Sequence, residues 1–374
     1  MPQNTETNGT AGDGVGRTAS LVDCDIHQRW KSPEEIIQYL PPRHRERGVT
    51  APEMLYHNTA GFGREDAIPS DGSDAGSDVA LMREQHLEEF DVDYAVLTGN
   101  SYLNLPAIPN RDYAAELALA VNRWLIDTWL EEGAPFVGSI LVAPQSPERS
   151  AEIIREVGTH PQVVQVLIPG GSAQLPYGNP YYWPIYEAAE ELGLPIAIHP
   201  STEGHGTSQP PTGAGHPNTY FEWHTLLGTY YMGQLASLLT EGVFAEYPDL
   251  KFVFIEGGLG WVPHFMWRMD KNWKGLRAQT PWLERRPSEY IRENVRFTTQ
   301  PIEEPDDPRH LLQIFEMMHA EETVMFSSDY PHWDGDSPAY GLPPMPDDLR
   351  HRILHENARE LYGLPEDPAE LFTA

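Results

Sequence analysis

Leu21-Val-Asp-Cys-Asp-Ile-His27 is the stretch from which the fold can be read. It is a β-like run, and its alternate residues Asp25 and His27 place two metal-binding side chains on one face near its end. Three other apolar runs end in the same way. Pro195-Ile-Ala-Ile-His199 ends in an imidazole, and Phe252-Val-Phe-Ile-Glu256 and Val324-Met-Phe-Ser-Ser-Asp329 end in carboxylates. Residues spread over about 300 positions meet at one ion if the runs are parallel strands of a (β/α)₈ barrel, whose carboxyl ends share one mouth. Imidazole with carboxylate suits a divalent transition metal such as Zn or Mn, and open coordination positions suit catalysis.

Outward from these runs, strand-like and helix-like segments alternate from residue 20 to residue 363, the pattern of a parallel sheet with helical crossovers. The expected strands are 21–27, 94–98, 137–143, 163–168, 195–199, 251–256, 295–299 and 324–329. Helices are expected over 79–90, 113–132, 150–160, 180–192, 221–241, 261–273, 308–319 and 346–362. Two connections are too long for simple turns, residues 28–77 and 200–218, both rich in Gly, Pro and small polar residues. They read as lid insertions after strands 1 and 5. Residues 1–18 read as a disordered tail, and residues 19–374 as a single α/β TIM-barrel domain.

The net charge is −31, which argues against nucleic-acid binding. Lysine occurs only at positions 31, 251, 271 and 274. Acidic excess with few lysines reads as adaptation to a high-salt cytoplasm. The one cysteine, Cys24, allows no internal disulfide and faces away from Asp25. No apolar run reaches the length of a membrane span, and the first residues lack the pattern of a signal peptide. The expected setting is therefore cytoplasmic, with no membrane partner. Gly257-Gly258-Leu259-Gly260 is the nearest imitation of a nucleotide loop, but Glu256 ahead of it would repel a phosphate.

Taken alone, each site residue has an ordinary explanation: a turn-capping aspartate, a hydrogen-bonded core histidine. Together, Asp25-x-His27, His199 and Ser328-Asp329-Tyr330-Pro331-His332 resemble the amidohydrolase-related (amidohydrolase 2) family, which includes aminocarboxymuconate-semialdehyde and resorcylate-type decarboxylases. Ile255-Glu256-Gly257-Gly258 through Trp261 and the segment Glu356-Asn357-Ala358-Arg359-Glu360-Leu361-Tyr362-Gly363 share the likeness, which covers residues 20–364. The resemblance implies a metal-bearing (β/α)₈ barrel holding one divalent ion on Asp25, His27, His199 and Asp329, and it carries a weak expectation of a homodimer.

Two departures from the family stand out. The better-known decarboxylase has His-x-His on strand 1, whereas Asp25 supplies a harder oxygen ligand and adds Mn and Mg to Zn as options. Many relatives end strand 6 in a catalytic His, and here the residue is Glu256. A desolvated carboxylate can serve as acid/base; alternatively, Glu256 orients His199 or Arg268. Asp329 is expected to act as both ligand and proton acceptor. His332, Trp30, His224 and Arg64 are the candidate substrate contacts. A second metal on His205, His216 and His224 lacks the ligand spacing of a fixed scaffold.

Three functions remain in competition. The first is a metal-dependent lyase removing CO₂ from a small aromatic or unsaturated carboxylic acid. The second is a hydrolase opening an amide, ester or lactone with metal-activated hydroxide. The third is a barrel that has lost catalysis and only binds. The intact ligand set favours an enzyme, and the aromatic residues near the mouth lean toward a planar carboxylate substrate.

Overall fold

The computed structural model describes residues 21–49, 56–171, 175–205 and 208–372. The tail expected over residues 1–18 lies outside them. Eight parallel strands follow chain order around the sheet: β1 (Leu21–Ile26), β2 (Val92–Leu97), β3 (Phe136–Leu141), β4 (Val163–Pro169), β5 (Ile196–His199), β6 (Phe252–Phe254), β7 (Val295–Thr298) and β8 (Val324–Met325). Helices connect them and cover the outer face. This is why β1, β3, β4, β5, β6 and β8 are buried along their whole length. One apolar cluster runs through all eight strands and the helices packed on them.

The barrel closes between β8 and β1. Cys24 N–H donates to the Phe326 carbonyl (3.0 Å) and His27 N–H to the Tyr330 carbonyl (2.8 Å). A parallel bridge pairs Ile26 with Tyr330.

β6 and β8 are shorter than expected. Glu256 and Asp329 both have φ of 60°, which turns each chain out of the extended conformation at the site. The helix expected over 221–241 is two helices, Tyr220–Thr225 and Leu227–Thr240, with Leu226 (φ −98°, ψ 4°) breaking the regular conformation between them. Pro287–Asn294 is a helix in a region where the sequence suggested none. The last expected helix is interrupted by a wider turn at Arg352–Glu356.

The two long connections touch one another. Tyr56, from the first, packs on Trp223 and His205, from the second insertion and the helix following it (ring centroids 6.1 and 5.4 Å). Phe62 meets Tyr220 edge-on at 5.8 Å. The first connection is also pinned to the turn after β8. Arg64 N–H donates to the Pro331 carbonyl and Trp333 N–H to that of Phe62. Gly76 has φ of +84°, and a Cβ there would sit 2.3 Å from the His27 carbonyl oxygen, so only glycine lets this connection pass so close to the site. Among the described residues, no helix is long and apolar enough to cross a membrane.

Candidate metal centre

Asp25 and His27, at the end of β1, are fully buried. His199, the last residue of β5, is 2% exposed, and Asp329, after β8, is fully buried. Their side chains converge. His27 Nε2 lies 2.8 Å from Asp329 Oδ1 and 3.4 Å from Asp25 Oδ1. His199 Nε2 lies 3.6 Å from Asp25 Oδ2. Glu256, 6% exposed, joins the group with Oε2 3.1 Å from His199 Nε2. One ligand atom each from Asp25, His27, His199 and Glu256 lies within 4.8 Å of the others, and His27, Asp329 and His332 form a second such group.

Both imidazoles are oriented from behind. His27 Nδ1 bonds the Gly99 carbonyl, and His199 Nδ1 bonds the Pro200 carbonyl at 2.7 Å. A carbonyl only accepts, so each Nδ1 carries a proton and each Nε2 faces the centre, where a bound cation would take the place of a second proton. Asp25 Oδ1 accepts from the Thr98 hydroxyl. The inward atoms Asp25 Oδ2, His27 Nε2, His199 Nε2 and both oxygens of Asp329 are buried without a hydrogen-bond partner. Several of them approach within bonding distance yet lack the alignment of a hydrogen bond. Buried polar atoms without a partner are costly unless a cation satisfies them. Asp25, His27 and His199 share one group with Glu256, Asp329 shares the other with His27 and His332, and imidazole nitrogens with carboxylate oxygens fit a divalent metal.

The electrostatics agree. Burial works against the charge of Asp25, but His27 and His199 outweigh it and hold the carboxyl far below its usual range. Burial likewise opposes a charged His199, yet Asp25 and Glu256 push its pKa up to about 10. Burial alone would raise the Glu256 carboxyl, as expected for a desolvated acid/base, but His199 and His224 outweigh it and hold the carboxyl well below normal, so the expected rise does not occur. The pocket favours positive charge at its centre.

Beyond the cluster, His332 Nδ1 is 2.7 Å from Asp329 Oδ1, and its Nε2 meets the Asn100 amide nitrogen at 2.8 Å. Its ring stacks on His27 at 4.0 Å. His224, on the helix Tyr220–Thr225, places Nε2 3.5 Å from Glu256 Oε1 and 3.4 Å from Asp334 Oδ2. A cavity of about 430 Å³ opens beside this pair, walled by Glu256, His224, Met232, Gly258, Trp261 and Glu303.

Two of the expected substrate contacts lie elsewhere. Trp30 packs its ring against Tyr102 (5.5 Å) and Trp124 (6.2 Å), as part of the aromatic packing around the core. Arg64 pairs with Asp66 through two hydrogen bonds of 3.0 and 2.6 Å while lying over the Tyr330 ring at 5.9 Å, so its guanidinium is already partnered. Among the described residues, no cluster of metal-binding side chains includes His205, His216 or His224.

The sequence did not single out Thr98, Gly99, Asn100 or Asp334. The first three follow β2, so the convergence of strand ends was a signal that could have found them. Asp334 lies in a loop and carries no local signal.

The chain is similar to several known proteins. The gamma-resorcylate decarboxylase of Rhodococcus jostii (strain RHA1) is 28% identical over 274 residues, covering 68% of this chain and 78% of that protein. The 5-carboxyvanillate decarboxylase of Sphingomonas paucimobilis superposes with a TM-score of 0.68 at 22% identity, over 93% of this chain and all of that one. The dihydroxybenzoic acid decarboxylase of Polaromonas sp. JS666, solved with bound manganese and 2-nitroresorcinol, gives 0.64 at 19% identity, over 93% and 98%. At these identities the structures establish the barrel fold. A family model described as amidohydrolase spans residues 22–364 and so takes in every strand end that builds the centre, and the chain belongs to the amidohydrolase family.

Proposed function

We propose that the protein is a metal-dependent decarboxylase releasing CO₂ from a small aromatic or unsaturated carboxylic acid. The observation that carries this reading is the set of buried, unpartnered ligand atoms on Asp25, His27, His199 and Asp329, in a chain whose curated relatives include gamma-resorcylate decarboxylases beside a 2-keto-4-carboxy-3-hexenedioate hydratase. These four residues would hold one divalent ion, with manganese first because the Polaromonas enzyme binds it and zinc as the alternative. When bound, such an ion supplies a Lewis acid for a substrate carboxylate or neighbouring hydroxyl.

The chain's own residues must then handle the proton. Replacing a carbon–carboxylate bond by carbon–hydrogen consumes one proton per CO₂ released. Glu256, which joins the Asp25–His27–His199 group and also lines the 430 Å³ cavity, and Asp329, between His27 and His332, are the candidate carriers. His332 and His224 flank them and would contact the substrate's polar groups. The segments 28–77 and 200–218 would wall the mouth, since Tyr56, Phe62, Tyr220 and Trp223 join them there. We extend the reading to a cytoplasmic homodimer adapted to high salt, on the strength of the −31 charge and the family resemblance.

The competing hydrolase reading uses the same residues. A panel of hydroxybenzoates and related unsaturated acids, assayed for CO₂ release after manganese or zinc loading, would run beside an ester, lactone and amide panel. Decarboxylation of at least one hydroxybenzoate is expected. Hydrolysis with no CO₂ from any acid would replace the proposal with the second reading.

A further inference from the structure

We propose that Asp23 and His86 are a positioning pair, buried beneath the centre, that sets its metal affinity. This rests on the reading of Asp25 and Asp329 as metal ligands. Asp23 precedes Asp25 by two residues on β1, on the same face and one layer deeper, and is fully buried. Its Oδ1 accepts from the backbone N–H of Ser328 at 2.9 Å and from that of Asp25 at 3.3 Å. Its Oδ2 lies 2.7 Å from His86 Nε2. His86, 3% exposed, stacks on Tyr330 with centroids 5.0 Å apart and planes at 18°. The pair therefore holds the residue on either side of Asp329 and the amide of Asp25 itself.

The seam between β8 and β1 explains why such an anchor matters. The regular ladder of β8 ends at Met325, four residues short of Asp329. Asp329 has φ of 60°, a left-handed conformation that strains a non-glycine residue and must be held by its surroundings. Asp329 N–H donates to the Asp25 carbonyl at 3.1 Å, so the two ligand backbones are tied directly and again through Asp23. Protein partners one step behind the ligands typically tune metal affinity by about 10–100-fold. His86 comes from a π-type widening at Arg83–Leu87, a local distortion that often marks functional positions.

Titrating metal-free wild type, D23N, H86F and H86Q with Mn(II), with free manganese followed by its EPR signal and thermal unfolding measured in parallel, tests this. D23N and H86F are expected to weaken manganese binding by about 10–100-fold. H86Q, which can return an N–H to Asp23, should recover most of that loss. Wild-type manganese affinity in folded D23N and H86F, whatever their melting temperatures, would leave the pair a purely structural element and overturn the proposal. If D23N does not fold, the contrast between H86F and H86Q decides. Absence of manganese binding by the wild type would instead overturn the ligand assignment on which the proposal stands.

Discussion

The corners after β6 and β8 use the same backbone device for different ends. Each places a carboxylate, Glu256 or Asp329, at φ of 60°, lifting it out of the strand and over the mouth. Asp329 is fully buried, with His27 at 2.8 Å and His332 at 2.7 Å, and neither of its oxygens has an aligned hydrogen bond. Glu256 keeps one edge on the cavity and divides its two oxygens between His199 and His224. The difference teaches that a strained strand end only delivers a carboxylate to the mouth. What it then does depends on whether its neighbours leave it facing a cation or a substrate.

The sharpest way to break this comparison is to neutralise each corner. D329N is expected to lose stoichiometric manganese, measured by elemental analysis, with turnover falling more than about 100-fold, the upper end of what loss of an outer partner does. Retained metal and activity in D329N would remove Asp329 from the ligand set. E256Q is expected to keep its metal while turnover drops roughly 10²–10⁴-fold, as for loss of a positioned acid/base. Metal loss in E256Q would make the two corners equivalent, both of them ligands.

A third buried carboxylate sharpens the contrast because its backbone is not at such a corner. Glu203 is fully buried, accepts from the Ser201 N–H at 2.9 Å and leaves Oε1 unpartnered. Burial pushes its pKa up to about 7 from 4.5. The fold thus favours the neutral acid. That contribution is complete below about pH 4.5 and is lost as pH rises through about 7, an effect on the order of 3 kcal/mol. Calorimetry of the metal-free protein should show wild type losing stability relative to E203Q between pH 5 and pH 8. Parallel curves would mean that Glu203 is ionised throughout.

The smallest effect serves as the control. R64A removes an exposed pair with Asp66, so stability should change by less than about 1 kcal/mol and turnover should stay near wild type in the CO₂ assay. A large rise in KM would return Arg64 to the substrate site.

How far the sequence could be read depended on the kind of signal each residue carried. The convergence of Asp25, His27, His199 and Asp329 was legible because each ends an apolar run, and strand ends of a parallel barrel share one mouth. Glu256 was legible as a functional residue, but its place beside the ligands was not, because that depends on how far the chain turns after β6. Trp30 and Arg64 could not be placed from the sequence, because a position in a long connection does not fix where its side chain points. Trp30 faces Tyr102 and Trp124, and Arg64 faces Asp66.

The chain's own order of apolar runs, breakers and strand-end ligands determined the barrel and the chemical identity of its centre, because periodicity and side-chain type are local properties. The tertiary structure alone decided which nitrogen of each imidazole faces the centre, through the carbonyls of Gly99 and Pro200. It also paired His224 with Asp334 and tied Ser328 to Asp23 across 305 positions. Most of these contacts join residues far apart in the chain, which only closure of the cylinder brings within hydrogen-bonding reach.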